Sequence, residues 1–494
     1  MQGTQVRLRY AGLVSFFSTL FSTITGFLFV TMITRKLDPL EFGLWHVVFT
    51  TIAYLTVVTD IVAYWTPRFI ARGENVARSC FVFNLIGGSI ASLVYILVSQ
   101  IVSSSLNLPF FYFLASTPHI FLIYLSLALE GISKGYAPQY TGYALIVFEI
   151  TKVLLAYYFI MTIRDRLLGA ILSVMIAQLI KVLYLLIVTY SRLIYGGLHK
   201  DHILRFLKLS WIPLYRNLAY FLGSIDVYMV TYFTASTLLV AYFRAAQALA
   251  VIVSYSATFS TSLYPRVLAL RRASDVEETI RLTTIFAIPM AAGLIIMSKP
   301  ILCVFGVKYL SAYNALIVLT IGSLITAYGG IFETTALGSE VVDMNRRATF
   351  REYLKSSLFL VPTARYLAHI GYLLSLLAIL LYKPSEILLM WAIVLILSKI
   401  ILVLWEYGYS KKFIKYNIPV EIIVKSFIAS TVMGTLLILL SAHEIVEIRI
   451  YDLLHKLVPY VTIAALTYFI ILLLIDSYSR NLVRRVFAYL RMKA

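Results

Sequence analysis

The chain has 494 residues, 61% of them hydrophobic and only 13% charged, with a mean hydropathy of +0.89. A soluble protein carries about twice that share of charged residues, and several apolar runs here reach the roughly 20 residues that cross a bilayer. The net charge of +19 does not indicate nucleic-acid binding, because the basic residues lie in short loops between apolar spans and not on one face of a soluble domain.

The apolar runs predict an all-α polytopic membrane protein with about 14 transmembrane helices. The two cysteines, Cys80 and Cys303, lie inside apolar segments, and their spacing indicates neither a disulfide nor a metal site. We therefore expect no metal and no cofactor. The predicted spans lie near 11–34, 44–66, 79–101, 110–130, 140–162, 167–190, 211–233, 238–265, 279–299, 312–333, 355–381, 385–408, 420–443 and 457–476.

Lysine and arginine set the predicted orientation. With the N-terminus inside, the cytoplasmic loops carry about three times as many of these residues as the outer loops, which is the asymmetry of the positive-inside rule. We therefore expect a multi-pass monomer of the plasma membrane with both termini in the cytoplasm. No loop is long enough for a soluble catalytic domain and no GxxxxGK motif is present, so we expect no enzyme and no direct use of ATP.

An internal repeat divides the chain. Shifted by 198 positions, Phe243–Ala269 falls on Trp45–Ala71, and shifted by 218, Lys399 falls on Lys181. Because each copy has six helices, both copies enter the membrane in the same direction, and a binding site is expected between them. The predicted domains are a six-helix lobe of residues 1–197, a six-helix lobe of residues 198–419, and two extra helices with a basic tail in residues 420–494.

Charged residues within the predicted spans are the candidate site residues, because hydrocarbon tolerates an ionisable side chain only opposite a partner or water. A phosphate group needs cations in a partly dry cavity, and arginine and lysine supply them. The candidates for binding an anionic substrate are Arg216, Arg244, Arg365 and Lys399. The candidates for gates or ion pairs are Asp60, Asp226, Glu149 and Lys181.

The depth of each charge, at about 1.5 Å of rise per residue, predicts how some of them pair. Asp226 and Arg244 fall at similar depth in consecutive antiparallel spans, either as part of a ligand site or as a structural pair. Asp60 and Arg216 fall near the inner ends of spans 2 and 7, where they would bridge the two lobes when the cytoplasmic side is closed.

The remaining charges group in the middle of the membrane. Glu149 and Lys152 have the spacing of a self-satisfied pair on one helix, and Lys181 falls in the same third of the membrane. Arg365 and Lys399 share a depth, and the sequence predicts no acid beside them. A double cation at this depth requires an anion or water.

Three segments, in order along the chain, resemble one family. These are TRKLDPLEFGLW (Thr34–Trp45), SIDVYMVTYF (Ser224–Phe233) and IPMAAGLIIMSKPILCVFGVKYLSAYNAL (Ile288–Leu316). In these segments the chain resembles the polysaccharide and lipid-linked oligosaccharide flippases of the multidrug/oligosaccharidyl-lipid/polysaccharide (MOP) exporter superfamily. The resemblance extends over most of residues 10–320.

The resemblance implies two six-helix lobes around a central cavity that opens alternately to each side of the membrane. It implies a flippase that moves a polyprenyl-phosphate- or pyrophosphate-linked oligosaccharide from the cytoplasmic to the outer leaflet. In the lipid II flippases of the same superfamily, helices 13 and 14 form a groove for the lipid tail. An arginine in their eighth helix helps to bind the head group, and Arg244 is its nearest match here. Their helix-1 arginines are missing, since residues 11–33 have only Ser and Thr as polar groups, which argues against lipid II itself.

Two other functions stay open. A cation-coupled multidrug antiporter of the same superfamily usually has twelve helices and buried acids, whereas this chain has more spans and a surplus of buried bases. A membrane glycosyltransferase or ligase needs carboxylates on a substantial outer loop, and the loop with Asp38 and Glu41 is only a short turn with a proline. The expected partners are a polyprenyl-linked glycan and membrane lipids, with a coupling cation left open and no nucleic acid.

Overall fold

The computed structural model of the protein describes residues 2–71, 74–195, 197–198, 200–208, 210–257, 271–340, 342, 350–482 and 484. Within the helices, the description excludes the side chains of residues 2–13, 15, 16, 60, 68, 71, 205, 208, 212 and 350. The described residues form helices and no strand, and 13 helical segments among them are long and apolar enough to cross a membrane. The predicted all-α polytopic fold class is confirmed.

The chain forms two compact units, which meet in sequence between Ala241 and Tyr242. The helices of the first unit are α1 (Gln2–Lys36), α2 (Pro39–Thr56), α3 (Asp60–Ala71), α4 (Ala77–Leu106), α5 (Phe110–Tyr136), α6 (Gln139–Thr162), α7 (Arg166–Ile194), α8 (Lys200–Lys208), α9 (Trp211–Leu222) and α10 (Asp226–Thr234), followed by the first residues of α11 (Leu238–Ser254).

The second unit takes up the rest of the chain. Its further helices are α12 (Ala273–Ile296), α13 (Ser298–Phe305), α14 (Tyr313–Gly338), α15 (Phe350–Lys355), α16 (Ser357–Tyr382), α17 (Ile387–Ser410), α18 (Val420–Leu439) and α19 (Ile450–Ile475). The predicted domain boundaries stay predictions, as does a cavity between two lobes.

The seventh predicted span, 211–233, is present as two short helices. A 3₁₀ turn, Gly223–Ile225, separates α9 from α10, so neither half reaches the length of a membrane span on its own. The cause is local, since adjacent glycine and serine residues are a common site of helix kinks. Counting this broken span, the described helices account for all fourteen predicted spans.

The second predicted span is broken in the same way, by the 3₁₀ turn Val57–Thr59 between α2 and α3. The four residues from Thr56 to Thr59 are all β-branched, which restricts their side chains in a helix. Thr56 and Thr59 also donate their hydroxyls to the carbonyls of Ala53 (3.0 Å) and Thr56 (2.6 Å). Such side-chain bonds compete with the regular helix and often bend it.

The two acids of the turn between α1 and α2 act at the start of α2. The Glu41 carboxylate accepts a 2.8 Å hydrogen bond from the backbone N–H of Asp38, as in a capping box. Asp165 has a comparable role at the start of α7, where its carboxylate accepts a 2.9 Å bond from Leu168 N–H. Asp38 and Glu41 therefore have a structural role in the short turn between α1 and α2.

Gly43 lets α2 approach the turn before α11 closely. Thr237 Oγ1 donates a 2.7 Å hydrogen bond to the carbonyl of Leu40, and a Cβ placed on Gly43 would overlap with the Thr237 carbonyl group. Only glycine fits this contact without displacement of the backbone. This requirement gives a physical reason for the glycine in the segment TRKLDPLEFGLW (Thr34–Trp45).

Candidate functional site

The first unit contains a buried carboxylate whose hydrogen bonds are well satisfied. Glu149 accepts bonds from Ser22 Oγ (2.8 Å) and Thr25 Oγ1 (2.7 Å) of α1, and its oxygen lies 2.7 Å from Lys152 Nζ. The predicted Glu149–Lys152 pair is confirmed. Because these donors already surround the carboxylate, Glu149 ties α1 to α6 and has a structural role.

A second ion pair in the same unit joins α5 and α7. Lys181 Nζ lies 2.6 Å from Glu130 Oε1, an acid that was not among the predicted candidates because it falls at the end of the predicted fourth span. The ring of Phe148 lies between the two pairs, 5.0 Å from Lys152 Nζ and 5.5 Å from Lys181 Nζ. Each of these two lysines therefore has an acid partner and an aromatic neighbour.

The other candidates of the first unit lie near the broken spans. Asp226 is buried and is the first residue of α10, a position where the helix dipole favours an acid. Arg216 is exposed, with its guanidinium carbon 5.8 Å from the centre of the Tyr64 ring. The side chain of Asp60 lies outside the described residues, so the Asp60–Arg216 bridge stays a prediction. Arg244 belongs to the second unit, and its pairing with Asp226 also stays a prediction.

Arg244 and Arg365 have different surroundings within the second unit. Arg244 donates a hydrogen bond from Nη1 to the side chain of Gln247, one turn further along α11. Arg365 Nη2 lies 2.9 Å from Glu333 Oε2 and 3.6 Å from Glu406 Oε1. The prediction that no acid lies beside Arg365 is wrong. The two acids fall near the ends of predicted spans, and the antiparallel order of α14, α16 and α17 brings all three side chains to one level.

Lys399 is the third candidate cation of the second unit. It is partly buried in the middle of α17, between Ile396, which packs on Gly322, and Val403, which packs on Gly329. It therefore lies on or near the face of α17 that meets α14. Among the described residues, Lys399 has no hydrogen bond, ion pair or ring contact.

An apolar cavity of about 280 Å³ lies within the second unit, between α11, α12, α13, α18 and α19. Its lining includes Ile252, Met290, Gly293, Met433, Ala464 and Phe469. The Tyr468 hydroxyl at its edge already donates a 2.8 Å hydrogen bond to the carbonyl of Ile285. The lining therefore suits an apolar chain and offers few groups to a polar ligand.

Neither a comparison with protein-family models nor one with curated proteins finds a match. The fold, in contrast, is similar to that of solved transporters. A structure of the lipid II flippase MurJ in an inward closed conformation matches with a TM-score of 0.68 and 15% sequence identity, covering 95% of this chain and 100% of that one.

Two transporters of the MATE family are also similar in fold. An inward-facing MATE transporter of the MOP superfamily has a TM-score of 0.60 and 14% identity, and covers 79% of this chain and 94% of its own. The Vibrio cholerae MATE transporter VcmN has a TM-score of 0.54 and 14% identity, and the match covers 83% of this chain and 98% of that one. The chain is therefore a multi-pass membrane protein with the fold that MOP-superfamily flippases and multidrug transporters share.

Proposed function

We propose that the protein is a flippase that moves a polyprenyl-phosphate- or pyrophosphate-linked oligosaccharide from the cytoplasmic to the outer leaflet by alternating access. The protein is not proposed to be an enzyme, since the solved structures that it resembles are those of flippases and transporters.

The observation that carries this proposal is Lys399. An ammonium group within a membrane helix is costly unless an anion or water compensates it, and no described residue does so. A phosphate is a suitable anion, because lysine binds it as a point charge. Arg216 and Arg244 are also proposed to take part in binding the head group. Arg365 contributes less directly, because Glu333 and Glu406 already lie beside it.

The apolar cavity supports the other part of the proposal, that the substrate carries an isoprenoid tail. Two of the five helices that line it, α18 and α19, are the extra helices beyond the twelve of the repeat. The fold match to the lipid II flippase covers 95% of the chain and the match to the inward-facing MATE transporter 79%. The difference in coverage corresponds to about as many residues as the segment 420–494, which contains α18 and α19. This favours a function in which these two helices are needed.

One observation favours the alternative, a cation-coupled multidrug antiporter. Two carboxylates, Glu333 and Glu406, share the single guanidinium of Arg365, and a proton or a cation would balance the second one. The similarity to MATE transporters in fold is compatible with this function as well. The same acids also suit a flippase that uses an ion gradient.

Reconstituted flipping tests the proposal. In proteoliposomes with a fluorescent polyprenyl-phosphate-linked oligosaccharide, flipping exposes the label to a membrane-impermeant quencher. A hydrogen bond to a charged group is worth about 1.5–3 kcal/mol, so Lys399→Gln should weaken substrate binding by roughly ten- to a hundredfold. Lys399→Arg should retain part of the activity.

Lys415→Gln serves as the matched control, because Lys415 is exposed in the loop before α18 and its charge has no proposed role. If Lys399→Gln flips the substrate as fast as the wild type, Lys399 does not bind the head group. If the wild type exports a cationic drug against a sodium or proton gradient and does not flip the glycolipid, the antiporter is the correct function.

A further inference from the structure

The two broken spans of the first unit lie side by side, and α2 contacts both halves of the second one. Tyr54 Oη donates a 2.6 Å hydrogen bond to the carbonyl of Phe221 in α9. One turn earlier on α2, Thr51 Oγ1 lies 2.9 Å from the hydroxyl of Tyr228 in α10. The 3₁₀ turn Gly223–Ile225 separates Phe221 from Tyr228, so a single helix holds the residues before and after the break.

A tyrosine hydroxyl also binds the corresponding carbonyl at the other break. Tyr124 Oη of α5 donates a 2.7 Å hydrogen bond to the carbonyl of Leu55. Leu55 precedes the turn Val57–Thr59 by two residues, as Phe221 precedes the turn Gly223–Ile225 by two residues. Both breaks therefore have the same register of carbonyl, turn and hydroxyl donor.

This register has a physical cause. In an α-helix the carbonyl of residue i accepts from the amide of residue i+4, whereas a 3₁₀ turn gives that amide to the carbonyl of residue i+1. The carbonyl two residues before the turn thus loses its regular i+4 donor, and a backbone carbonyl that is not fully hydrogen-bonded is costly in hydrocarbon. The tyrosine hydroxyls supply the donor, and they stabilise the broken form of each helix relative to the straight form.

We propose that the two breaks form a coupled hinge, in which α2–α3 and α9–α10 bend together during the transport cycle, with Tyr54 and Tyr124 stabilising the bent state. A short stretch of 3₁₀ helix within a long helix often marks such a hinge. The second half of the later span begins at Asp226, and an acid at a helix start stabilises that half as a separate helix. The inference rests on the proposed transport function, but its test needs no substrate.

The test measures the bend directly. Spin labels at Tyr232 of α10 and at Leu154 of α6, both exposed (61% and 64%), report the position of α10 in the full-length protein in nanodiscs. We expect two distance populations. Tyr54→Phe should shift their ratio about fivefold toward the straight form, as expected from the loss of one hydrogen bond of typical strength. Tyr124→Phe, at the other break, should shift the same ratio in the same direction.

Tyr190→Phe is the control. Tyr190 is exposed on α7, so this substitution should leave the ratio of the two populations unchanged. A shift with Tyr54→Phe but not with Tyr124→Phe would overturn the coupling of the two breaks. A single population that neither change moves would overturn the hinge. If Tyr54→Phe fails to fold, Thr51→Val removes the bond to Tyr228 and tests the same break. A wild type that shows the hinge but flips no glycolipid would contradict the proposed function and leave the hinge intact.

Discussion

Arg365 Nη2 lies 2.9 Å from Glu333 Oε2, and both side chains are largely shielded from solvent between α14 and α16. Removal of one partner of a buried ion pair leaves the other charge uncompensated, at a cost of about 3–5 kcal/mol. We therefore expect Arg365→Ala to lower the melting temperature of the purified protein in detergent strongly.

A triple change separates this structural role from substrate binding. In Arg365→Ala with Glu333→Gln and Glu406→Gln, no charge is left uncompensated, and we expect most of the stability to return. If Arg365→Ala alone melts at the temperature of the wild type and only flipping is lost, Arg365 binds substrate directly and the ion pair contributes little.

A second prediction concerns the close contact of α2 with the turn before α11. Gly43→Ala would place a methyl group against the backbone of Thr237, and overpacking of this kind costs about 1–3 kcal/mol. We expect a lower melting temperature and a lower yield of folded protein. Gly26→Ala is the matched control, because no atom lies within 4 Å of a Cβ at Gly26, and alanine there should be neutral or stabilise the helix by up to about 1 kcal/mol. Equal stability of the two variants would contradict the contact.

The sequence and the structure agree best where a feature depends on neighbouring residues. Apolar periodicity located the spans, and the three-residue spacing of Glu149 and Lys152 predicted their contact. The partners of Lys181 and Arg365 come from other helices, and their positions depend on how the helices pack. Glu130, Glu333 and Glu406 were missed because each falls near the end of a predicted span.

The helix breaks illustrate a second limit. Residues 211–233 form one continuous apolar run, and hydropathy alone does not distinguish a straight helix from a broken one. The adjacent Gly223 and Ser224 were a local signal of a kink. The tyrosine hydroxyls that stabilise both breaks come from α2 and α5, and no local pattern in the sequence predicts those contacts.

A third prediction tests the orientation, which the structure leaves as a prediction. Single cysteines at Asn107 and Lys383, the exposed residues that end α4 and α16, should react with an impermeant maleimide in intact cells. Cysteines at Ser274 and Lys412, which are exposed at the other ends of the spans, should react only after permeabilisation. The native Cys80 and Cys303 are buried, so the background should be low. Labelling at position 274 in intact cells would reverse the predicted orientation.

The last prediction tests the apolar cavity as the place of the isoprenoid tail. Gly293 lines this cavity, and a Cβ added to it would have no atom within 4 Å. Gly293→Leu should therefore fill the cavity without strain. A tail that needs the space would then be excluded. Flipping should therefore fall by at least about tenfold, the effect of about 1.4 kcal/mol of lost binding, while the melting temperature stays the same or rises.

Gly371→Leu is the matched control, because Gly371 also has no neighbour within 4 Å and lines a different groove, between α16 and α17. The flipping rate should also recover with a substrate whose isoprenoid chain is short, because a short tail needs less of the cavity. Normal flipping by Gly293→Leu, with the protein folded and the long-chain substrate in use, would place the tail elsewhere.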